Sequence, residues 1–179
     1  MSGTKLAGGP TQDEIMAVSL FKLGLRSTDT VLEIGCGSGK VSIAAAQQAT
    51  KILSIDKRPE AIKTARESAQ KASIHNIEFF CTDAVDFLKS DRIYDCAFVG
   101  GTQDLDRILP VLAKKVRRTI VVNAVLLSTL AQAVATLQQL GIFCEVVQVQ
   151  VARSHEIGGS IMFKPIDPVY IIVGKGTAC

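Results

Sequence analysis

The chain contains no tryptophan, and aromatic residues make up only 5% of its 179 positions. An interior of this composition is aliphatic, which suits parallel strands buried on both faces, because such strands read as continuous apolar runs. No apolar run approaches the ~18 residues that a membrane span requires. The start of the chain also lacks the charged and then apolar pattern of a secretion leader. We therefore expect residues 1–179 to form one cytoplasmic domain that does not enter a membrane.

Metal-binding and nucleic-acid-binding signatures are also missing. The five cysteines form no Cys-x-x-Cys pair, and their odd number argues against a disulfide framework, so we expect a reduced protein without a metal site. Twenty basic and 17 acidic residues leave a net charge of +3, which is too mild to indicate nucleic acid. The basic cluster at residues 114–118 predicts a cationic helix end, since no aromatic side chains interleave with it as stacking platforms.

A glycine-rich turn follows the first apolar strand and is the most informative stretch of the chain. Residues 31–39 read Val-Leu-Glu-Ile-Gly-Cys-Gly-Ser-Gly, so the turn is Gly-x-Gly-x-Gly with glycines at 35, 37 and 39. A dinucleotide fingerprint would require glycine at position 40, where this chain has Lys40. The three glycines allow the backbone to pass close beneath a ligand. Glu33 would oppose a phosphate and suits a cationic or amino-bearing ligand.

A second apolar strand ends in Asp56, seventeen residues after Gly39. A carboxylate at this point can accept hydrogen bonds from both hydroxyls of a ribose. The strand, the glycine turn and the acid at the next strand end together resemble the S-adenosylmethionine site of class I methyltransferases. The alternative, a purely structural turn followed by a solvated acid, explains the spacing less well.

Strands and helices alternate through residue 141, which predicts a doubly wound parallel sheet. The last two strands, 143–151 and 169–173, have no helical pattern between them and should pair antiparallel around a long loop, residues 152–167. The prediction is thus an α/β, Rossmann-like class I methyltransferase fold, with a seven-stranded, mostly parallel sheet and a C-terminal antiparallel hairpin. Residues 1–10 read as a loop, Thr11 and Glu14 as a capping box, and Pro110 as a kink or break in the helix at 104–115.

Two further strand ends carry candidate site residues. Asp83 and Ala84 follow the third strand, where this fold contacts adenine, although Asp83 equally suits a helix N-cap. Gly100 and Gly101 follow the fourth strand, where amino-group methyltransferases often have an Asp/Asn-Pro-Pro-aromatic motif. The two glycines argue against such targets and leave room for a bulky, flat substrate.

The loop at 152–167 should overhang the carboxyl edge of the sheet, where substrate-binding residues are expected. Arg153 lies at its start and can bind a carboxylate through two parallel hydrogen bonds. The alternative for Arg153 is a surface arginine that pairs with Glu156 or Asp167. His155 lies in the same loop, whereas His75 falls in an exposed turn with no predicted role.

A narrower resemblance extends over nearly the whole chain. It rests on Gly-Gly-Pro-Thr ending at Thr11, the turn at 33–39, Ile-Asp-Lys-Arg-Pro-Glu-Ala-Ile at 55–62, Val-Gly-Gly at 99–101, Asn-Ala-Val-Leu-Leu at 123–127, and Val-Ala-Arg at 151–153 with Ser-Ile-Met-Phe at 160–163. In this order and spacing the motifs resemble the decarboxylating cobalt-precorrin-6B C15-methyltransferases of anaerobic cobalamin biosynthesis. The glycine turn and Asp56 are common to the superfamily, and the other motifs select this family.

The resemblance implies S-adenosylmethionine as cofactor, a tetrapyrrole substrate and a homotetramer. It implies a cofactor site that consists of Thr11, Gly35, Cys36, Gly37, Ser38, Gly39, Asp56, Asp83 and Ala84. It further implies substrate contacts from Gly100, Gly101, Asn123 and Arg153. Ser38 and Asn123 both stand where threonine is common in the family. No catalytic acid–base pair is evident, which fits an electron-rich tetrapyrrole carbon that attacks a methyl group without a strong base.

Three alternatives remain open at this stage. A protein isoaspartyl methyltransferase would share the glycine turn but should show an acceptor-loop signature that this chain lacks. A tRNA adenine-N1 methyltransferase should have a more basic surface than a net charge of +3. A non-catalytic cofactor-binding subunit would not need the intact cofactor motifs together with Gly100 and Gly101.

Overall fold

The computed structural model describes residues 11–178, in which strands and helices alternate as far as α6 and four further strands follow. The predicted loop at 1–10 and Cys179 lie outside the described residues. The strands are β1 Thr30–Ile34, β2 Lys51–Asp56, β3 Ile77–Cys81, β4 Tyr94–Val99, β5 Val116–Ala124, β6 Phe143–Val149, β7 Ala152–Ile157, β8 Ser160–Pro165 and β9 Val169–Lys175. The helices are α1 Asp13–Leu23, α2 Lys40–Ala46, α3 Pro59–Lys71, α4 Ala84–Phe87, α5 Leu105–Lys115 and α6 Leu127–Gln139.

Seven strands form one sheet in the order β3-β2-β1-β4-β5-β9-β6. The first five are parallel, and β9 lies antiparallel between β5 and β6. This confirms the predicted α/β class, the mostly parallel sheet and the antiparallel pairing of the last strands. The strand order reverses between β1 and β4, which is where an open α/β sheet places its ligand crevice.

Helices cover both faces of the sheet because the parallel strands are apolar on both sides. Helices α1, α2 and α3 pack on one face, and α5 and α6 pack on the other. The core is aliphatic, as the composition predicts, and its largest cluster joins Leu32, Ile120 and Ile172 to α5 and α6. Within residues 11–178, no helix is both long and apolar enough to cross a membrane.

Two local predictions about helices are wrong. The N-cap of α1 is Gln12, without a capping side-chain bond, so Thr11 and Glu14 do not form a capping box. The Glu14 carboxylate instead accepts a hydrogen bond from Arg153 at 2.7 Å. Pro110 does not divide α5, which runs continuously over eleven residues and buries Leu109 and Leu112, so only the division that was predicted as an alternative to a kink is wrong. By contrast Pro59 occupies the first turn of α3, where its missing N–H group leaves no helical hydrogen bond unmade.

The predicted loop at 152–167 is also wrong in its secondary structure. Strands β7 and β8 pair antiparallel into a hairpin of their own, separate from the main sheet, and turn at Gly158 and Gly159. Since β6 runs parallel to β5 and β9 returns beside both, this hairpin leaves the domain at the carboxyl edge of the sheet. The segment at 152–167 therefore lies at the carboxyl edge of the sheet, as the sequence predicts.

At the opposite, amino edge of the sheet, the basic cluster has two roles. Lys114 and Lys115 lie in the last turn of α5, as predicted, whereas Arg117 and Arg118 belong to β5. Arg118 donates two hydrogen bonds of 2.7 Å to the buried carboxylate of Asp29 and a third to the carbonyl of Gly24. This bidentate pair connects the end of α1, the start of β1 and the start of β5.

Candidate active site

The glycine turn is held against the loop that follows β4. Gly35 has φ +82°, and a Cβ atom there would lie 2.4 Å from the backbone nitrogen of Gly101. The N–H groups of Gly100 and Gly101 both donate to the Ile34 carbonyl, at 2.8 and 3.1 Å. Only glycine at position 35 allows this approach of two backbones, whereas a Cβ atom at Gly100 or Gly101 would lie 3.2 Å or more from its nearest neighbour.

The other two glycines of the turn differ in their surroundings. Gly39 has φ +77° and caps α2, and a Cβ atom there would meet the Cβ of Ala65 at 2.9 Å. Gly37 has φ +53°, and nothing lies within 4 Å of the position its Cβ would take. Of the three glycines in this turn, Gly37 is therefore the one with unfilled space where a side chain would lie.

Asp56 ends β2 directly beside the turn, with a side chain that is 3% exposed. Its Oδ2 accepts from the backbone N–H of Gly37 at 3.0 Å and from Nη2 of Arg58 at 2.9 Å. Its Oδ1 accepts from the N–H and the Nε of Arg58, both at 3.0 Å. Burial alone would raise the pKa of Asp56, but these hydrogen bonds outweigh burial and hold the pKa below its ordinary value, so the group is an anion.

Glu33 does not face the crevice, contrary to the expectation that it suits an amino-bearing ligand. It is 2% exposed and accepts hydrogen bonds from the hydroxyls of Ser42 and Ser54 beneath α2. Burial raises the pKa of Glu33 to about 8, so the carboxyl group is predominantly protonated at neutral pH. Burial and the neighbouring Glu33 likewise raise the pKa of the Cys36 thiol to about 12.

A pocket of about 540 Å³ opens at the carboxyl edge, where the strand order reverses. Its walls come from the ends of β1, β2, β3 and β4 and from the first turns of α4 and α5. The lining residues are Ile34, Gly35, Ile55, Asp56, Lys57, Arg58, Thr82, Asp83, Ala84, Gly100, Gly101, Thr102, Gln103, Asp104 and Ile108. Six predicted site residues are thus brought together: Gly35, Asp56, Asp83, Ala84, Gly100 and Gly101.

Asp83 is the N-cap of the short helix α4, which confirms that alternative for this residue. Its Oδ1 accepts from the backbone N–H of Val85 at 2.8 Å. The same residue lines the pocket beside Ala84. One side chain therefore fixes the start of α4 and borders the pocket, so both roles proposed from the sequence are compatible.

Seven predicted site residues lie outside the lining of this pocket: Cys36, Gly37, Ser38 and Gly39 of the turn, and Thr11, Asn123 and Arg153. Thr11 is close to the glycine turn, because its carbonyl accepts from Nζ of Lys40 at 2.8 Å. Asn123 exchanges hydrogen bonds with Ser19 of α1, at 2.9 and 3.1 Å. Arg153 is exposed on β7 and lines a second pocket of about 440 Å³ at the base of the hairpin. Its ion-pair partner is Glu14, at 2.7 Å, and not Glu156 or Asp167 as the alternative predicted.

Several lining residues received no role from the sequence. Lys57 and Arg58 directly follow Asp56, and the Lys57 ammonium donates to the side-chain oxygen of Gln103 across the pocket. Asp104 caps α5 with φ +55°, a left-handed conformation that few non-glycine residues adopt. Because all of them follow parallel strands, their position at one edge could have been inferred from strand order alone.

Within residues 11–178, no group of three or more His, Cys, Asp or Glu side chains is arranged to hold a metal ion.

The reversed strand order, the glycine turn and the acid at the end of β2 define the Rossmann-like fold of class I methyltransferases. Residues 5–175 match the precorrin methyltransferase domain family, and the chain belongs to that family. A relative from Methanosarcina acetivorans, named a probable cobalt-precorrin-6B C(15)-methyltransferase (decarboxylating), is 46% identical over 97% of this chain and 97% of its own length.

Two solved structures share the fold over nearly their full length. One is a precorrin 8W decarboxylase from Methanobacterium thermoautotrophicum, with a TM-score of 0.89 and 28% identity over 93% of this chain and 91% of that one. The other is a precorrin-6Y C5,15-methyltransferase from Geobacter metallireducens, with a TM-score of 0.89 and 30% identity over 96% and 94%.

Proposed function

We propose that this chain transfers a methyl group from S-adenosylmethionine to C15 of cobalt-precorrin-6B, with loss of the C12 acetate carboxyl group as carbon dioxide. The product would be cobalt-precorrin-7, an intermediate of cobalamin biosynthesis. The observation that carries the proposal is the 46% identity, over 97% of both chains, to the relative named for this activity. The pocket at the reversal of the strand order supports it independently, because it supplies a site for a nucleoside cofactor.

The residues of this pocket fit the cofactor by their chemistry. Asp56 supplies an anionic carboxylate for the ribose hydroxyls, and Gly37 leaves its outer side open. Asp83 and Ala84 border the part of the pocket next to β3, where adenine would bind. Thr11, Cys36, Ser38 and Gly39 complete the proposed site around the turn. When bound, S-adenosylmethionine supplies an electrophilic methyl group on a sulfonium ion.

The protein's remaining task is to position the tetrapyrrole carbon against that methyl group. Alignment of two reactants can supply a large part of a rate enhancement, and it requires no strong protein base. Gly100 and Gly101 would border the macrocycle, and Asn123 and Arg153 would contact it from β5 and the hairpin. Arg153 is bound to Glu14 in the free chain, so a substrate carboxylate would have to compete with that exposed ion pair.

Mass spectrometry of cobalt-precorrin-6B incubated with the protein and S-adenosylmethionine tests the reaction. The expected product has gained one methyl group and lost one carbon dioxide. Recovery of unmodified tetrapyrrole with an active cofactor-binding protein would contradict the proposed substrate.

Replacement of Asp56 by alanine tests the cofactor site. We expect the affinity for S-adenosylmethionine to fall by about 1–3 kcal/mol, the range for loss of a charged hydrogen-bond partner. Isothermal titration calorimetry on the folded variant measures this. Asp106→Ala, on the first turn of α5 and outside the pocket lining, is the matched control. Unchanged affinity in Asp56→Ala would remove this residue from the site.

The homotetramer implied by the family resemblance is part of the proposal. It is supported by the β7–β8 hairpin, which exposes Ile161 at 75% and Phe163 at 69%. Apolar side chains of this size on an isolated hairpin are typical of an interface between chains. A cytoplasmic location is supported by the four cysteines within residues 11–178, all of which are free thiols.

A further inference from the structure

The Asp56 carboxylate is already saturated with hydrogen bonds. A carboxylate offers about four acceptor positions. The backbone N–H groups of Gly37 and Arg58 use two of them, and the Nε and Nη2 atoms of the Arg58 guanidinium use the other two. A ribose diol that donates to Asp56 must therefore displace existing donors.

The four donors differ in how easily they can leave. The Gly37 N–H belongs to the packed glycine turn, and the Arg58 N–H belongs to the N-cap residue of α3. Neither can move without rearrangement of the main chain. The Arg58 side chain is 32% exposed, whereas the Asp56 side chain is 3% exposed. The guanidinium lies on a partly exposed side chain rather than on the main chain, so its two donors are the ones that a ribose diol would replace.

The Arg58 guanidinium also has a suitable second partner. Arg58 lines the same pocket as Gly100 and Gly101, where the tetrapyrrole would approach. Arginine remains charged at any physiological pH and binds carboxylates with two parallel hydrogen bonds. The neighbouring Lys57 ammonium donates to Gln103, and lysine lacks the paired donors of a guanidinium, so Lys57 does not duplicate this role.

We propose that Arg58 exchanges partners during binding: the cofactor ribose displaces its guanidinium from Asp56, and the guanidinium then binds a carboxylate of the substrate. The second step rests on the proposed polycarboxylate tetrapyrrole substrate. Breakage of the Arg58–Asp56 pair opposes cofactor binding, and a substrate carboxylate compensates for that loss. Cofactor and substrate should therefore strengthen each other's binding by the same factor.

The first test measures cofactor binding alone, with S-adenosylhomocysteine as the probe. S-adenosylhomocysteine, the cofactor after methyl transfer, has a neutral thioether in place of the sulfonium ion. Removal of the Arg58 charge therefore cannot alter its affinity by relieving repulsion between the arginine and a sulfonium. In Arg58→Met we expect S-adenosylhomocysteine to bind roughly threefold to tenfold more tightly, because its ribose no longer competes with an ion pair. The 2′,3′-dideoxy analogue should bind wild type and Arg58→Met equally, since it cannot use Asp56.

Two further variants serve as controls. Arg107→Met removes the same charge from an exposed position on α5 and should leave both affinities unchanged. Arg58→Lys retains the charge without the paired donors and should give an intermediate affinity. Circular dichroism and thermal melting establish that each variant is folded before its affinity is compared.

The second test measures coupling with uroporphyrin, a stable polycarboxylate tetrapyrrole, as the substrate probe. Saturation with S-adenosylhomocysteine should tighten uroporphyrin binding to wild type by about fivefold, and Arg58→Met should abolish this gain. Coupling of equal size in wild type and Arg58→Met would overturn the substrate step.

The outcomes separate this inference from the proposed function. If wild type binds S-adenosylhomocysteine and Arg58→Met binds it no more tightly, the exchange is wrong and the methyltransferase assignment stands. An equal gain with the dideoxy analogue would also overturn the exchange, because the ribose hydroxyls would not be involved. Failure of wild type to bind S-adenosylhomocysteine would contradict the proposed function and the exchange together.

Discussion

The pocket edge of the sheet is closely packed within the chain, whereas the β7–β8 hairpin is exposed, although both lie beyond the carboxyl ends of the strands. At the pocket, glycine backbones touch, and a buried carboxylate is fixed by four hydrogen bonds. In the hairpin, both six-residue strands are exposed along their whole length. Its backbone ladder is complete, but its apolar side chains pack against little within the chain.

This difference indicates what each region depends on. The pocket is determined by contacts inside one chain, so single substitutions there should change folding and cofactor binding. The hairpin has apolar side chains that gain free energy only when something covers them. Substitutions in the hairpin should therefore leave the fold of one chain intact and act on assembly or on substrate contact.

The largest effect should come from valine at two glycines of the same turn. In Gly35→Val the new Cβ would lie 2.4 Å from the Gly101 nitrogen, so we expect a loss of about 3 kcal/mol or more in the free energy of unfolding, together with loss of cofactor binding. In Gly37→Val nothing lies within 4 Å, and the left-handed backbone alone should cost about 1–2 kcal/mol.

Urea unfolding and calorimetry with S-adenosylhomocysteine distinguish the two glycine variants. Gly37→Val should keep the sheet folded and still lose cofactor binding, because its side chain would fill space beside Asp56. Retained binding in that variant would mean that the turn does not approach the cofactor closely.

The next largest effect concerns the buried acid behind the pocket. The pKa of Glu33 is about 8 in the folded chain and near its ordinary 4.5 when unfolded. Between these pH values the folded state holds a proton that the unfolded state has released, so the unfolding free energy falls as pH rises. Glu33→Gln should remove this contribution and become more stable than wild type above pH 8, by a few kcal/mol.

Unfolding free energies measured from pH 5 to pH 9 give the slope for each protein. Glu145→Gln, at an exposed ion pair with Lys22, is the control and should retain the wild-type slope. Parallel curves for Glu33→Gln and wild type would show that Glu33 is ionised in the folded chain.

A smaller effect is expected from the hairpin, where we propose an interface between chains. The double variant Ile161→Ser and Phe163→Ser should raise the dissociation constant of the tetramer by about 30-fold or more, the effect of removing interface hot spots. Sedimentation velocity measures the assembly, and Phe21→Ser, at a side chain of α1 that is 79% exposed, is the control. An unchanged tetramer in the double variant would exclude the hairpin as an interface.

The smallest effect should arise at the ion pair between Arg153 of the hairpin and Glu14 of α1. The pair is exposed, so Arg153→Lys should leave the unfolding free energy and the cofactor affinity nearly unchanged. If Arg153 binds a substrate carboxylate bidentately, the same variant should raise the tetrapyrrole KM. Steady-state kinetics with an unaltered KM would identify Arg153 as a surface ion pair only.

The sequence predicted which strand ends meet at the pocket edge, because local signals and topology coincide there. Apolar runs, the turn glycines and Asp56 lie close together along the chain, and parallel strand order brings their ends to one edge. The orientation of Glu33 was not predictable in the same way. Its side chain alternates to the face that carries Ser54 and α2, and this depends on which face of the strand meets which helix.

The hairpin and the exact ion pairs required three-dimensional information. Residues 152–157 and 160–165 form strands without a buried face, so they lack the alternation of apolar and polar residues by which strands are recognised. The partner of Arg153 proved to be Glu14, which is 139 residues away in the chain. No local pattern links such positions, and only the placement of α1 beside the hairpin brings them together.

The insertion of β9 between β5 and β6 has a consequence for the order of folding during synthesis. Strand β6 has β9 as its partner in the sheet, yet β9 is translated after β6 and after the whole hairpin. The nascent chain must therefore hold β6 unpaired and leave one edge of β5 open until residues 169–175 emerge from the ribosome. Such an open edge is a template for aggregation, and a stop codon before residue 169 would make it permanent.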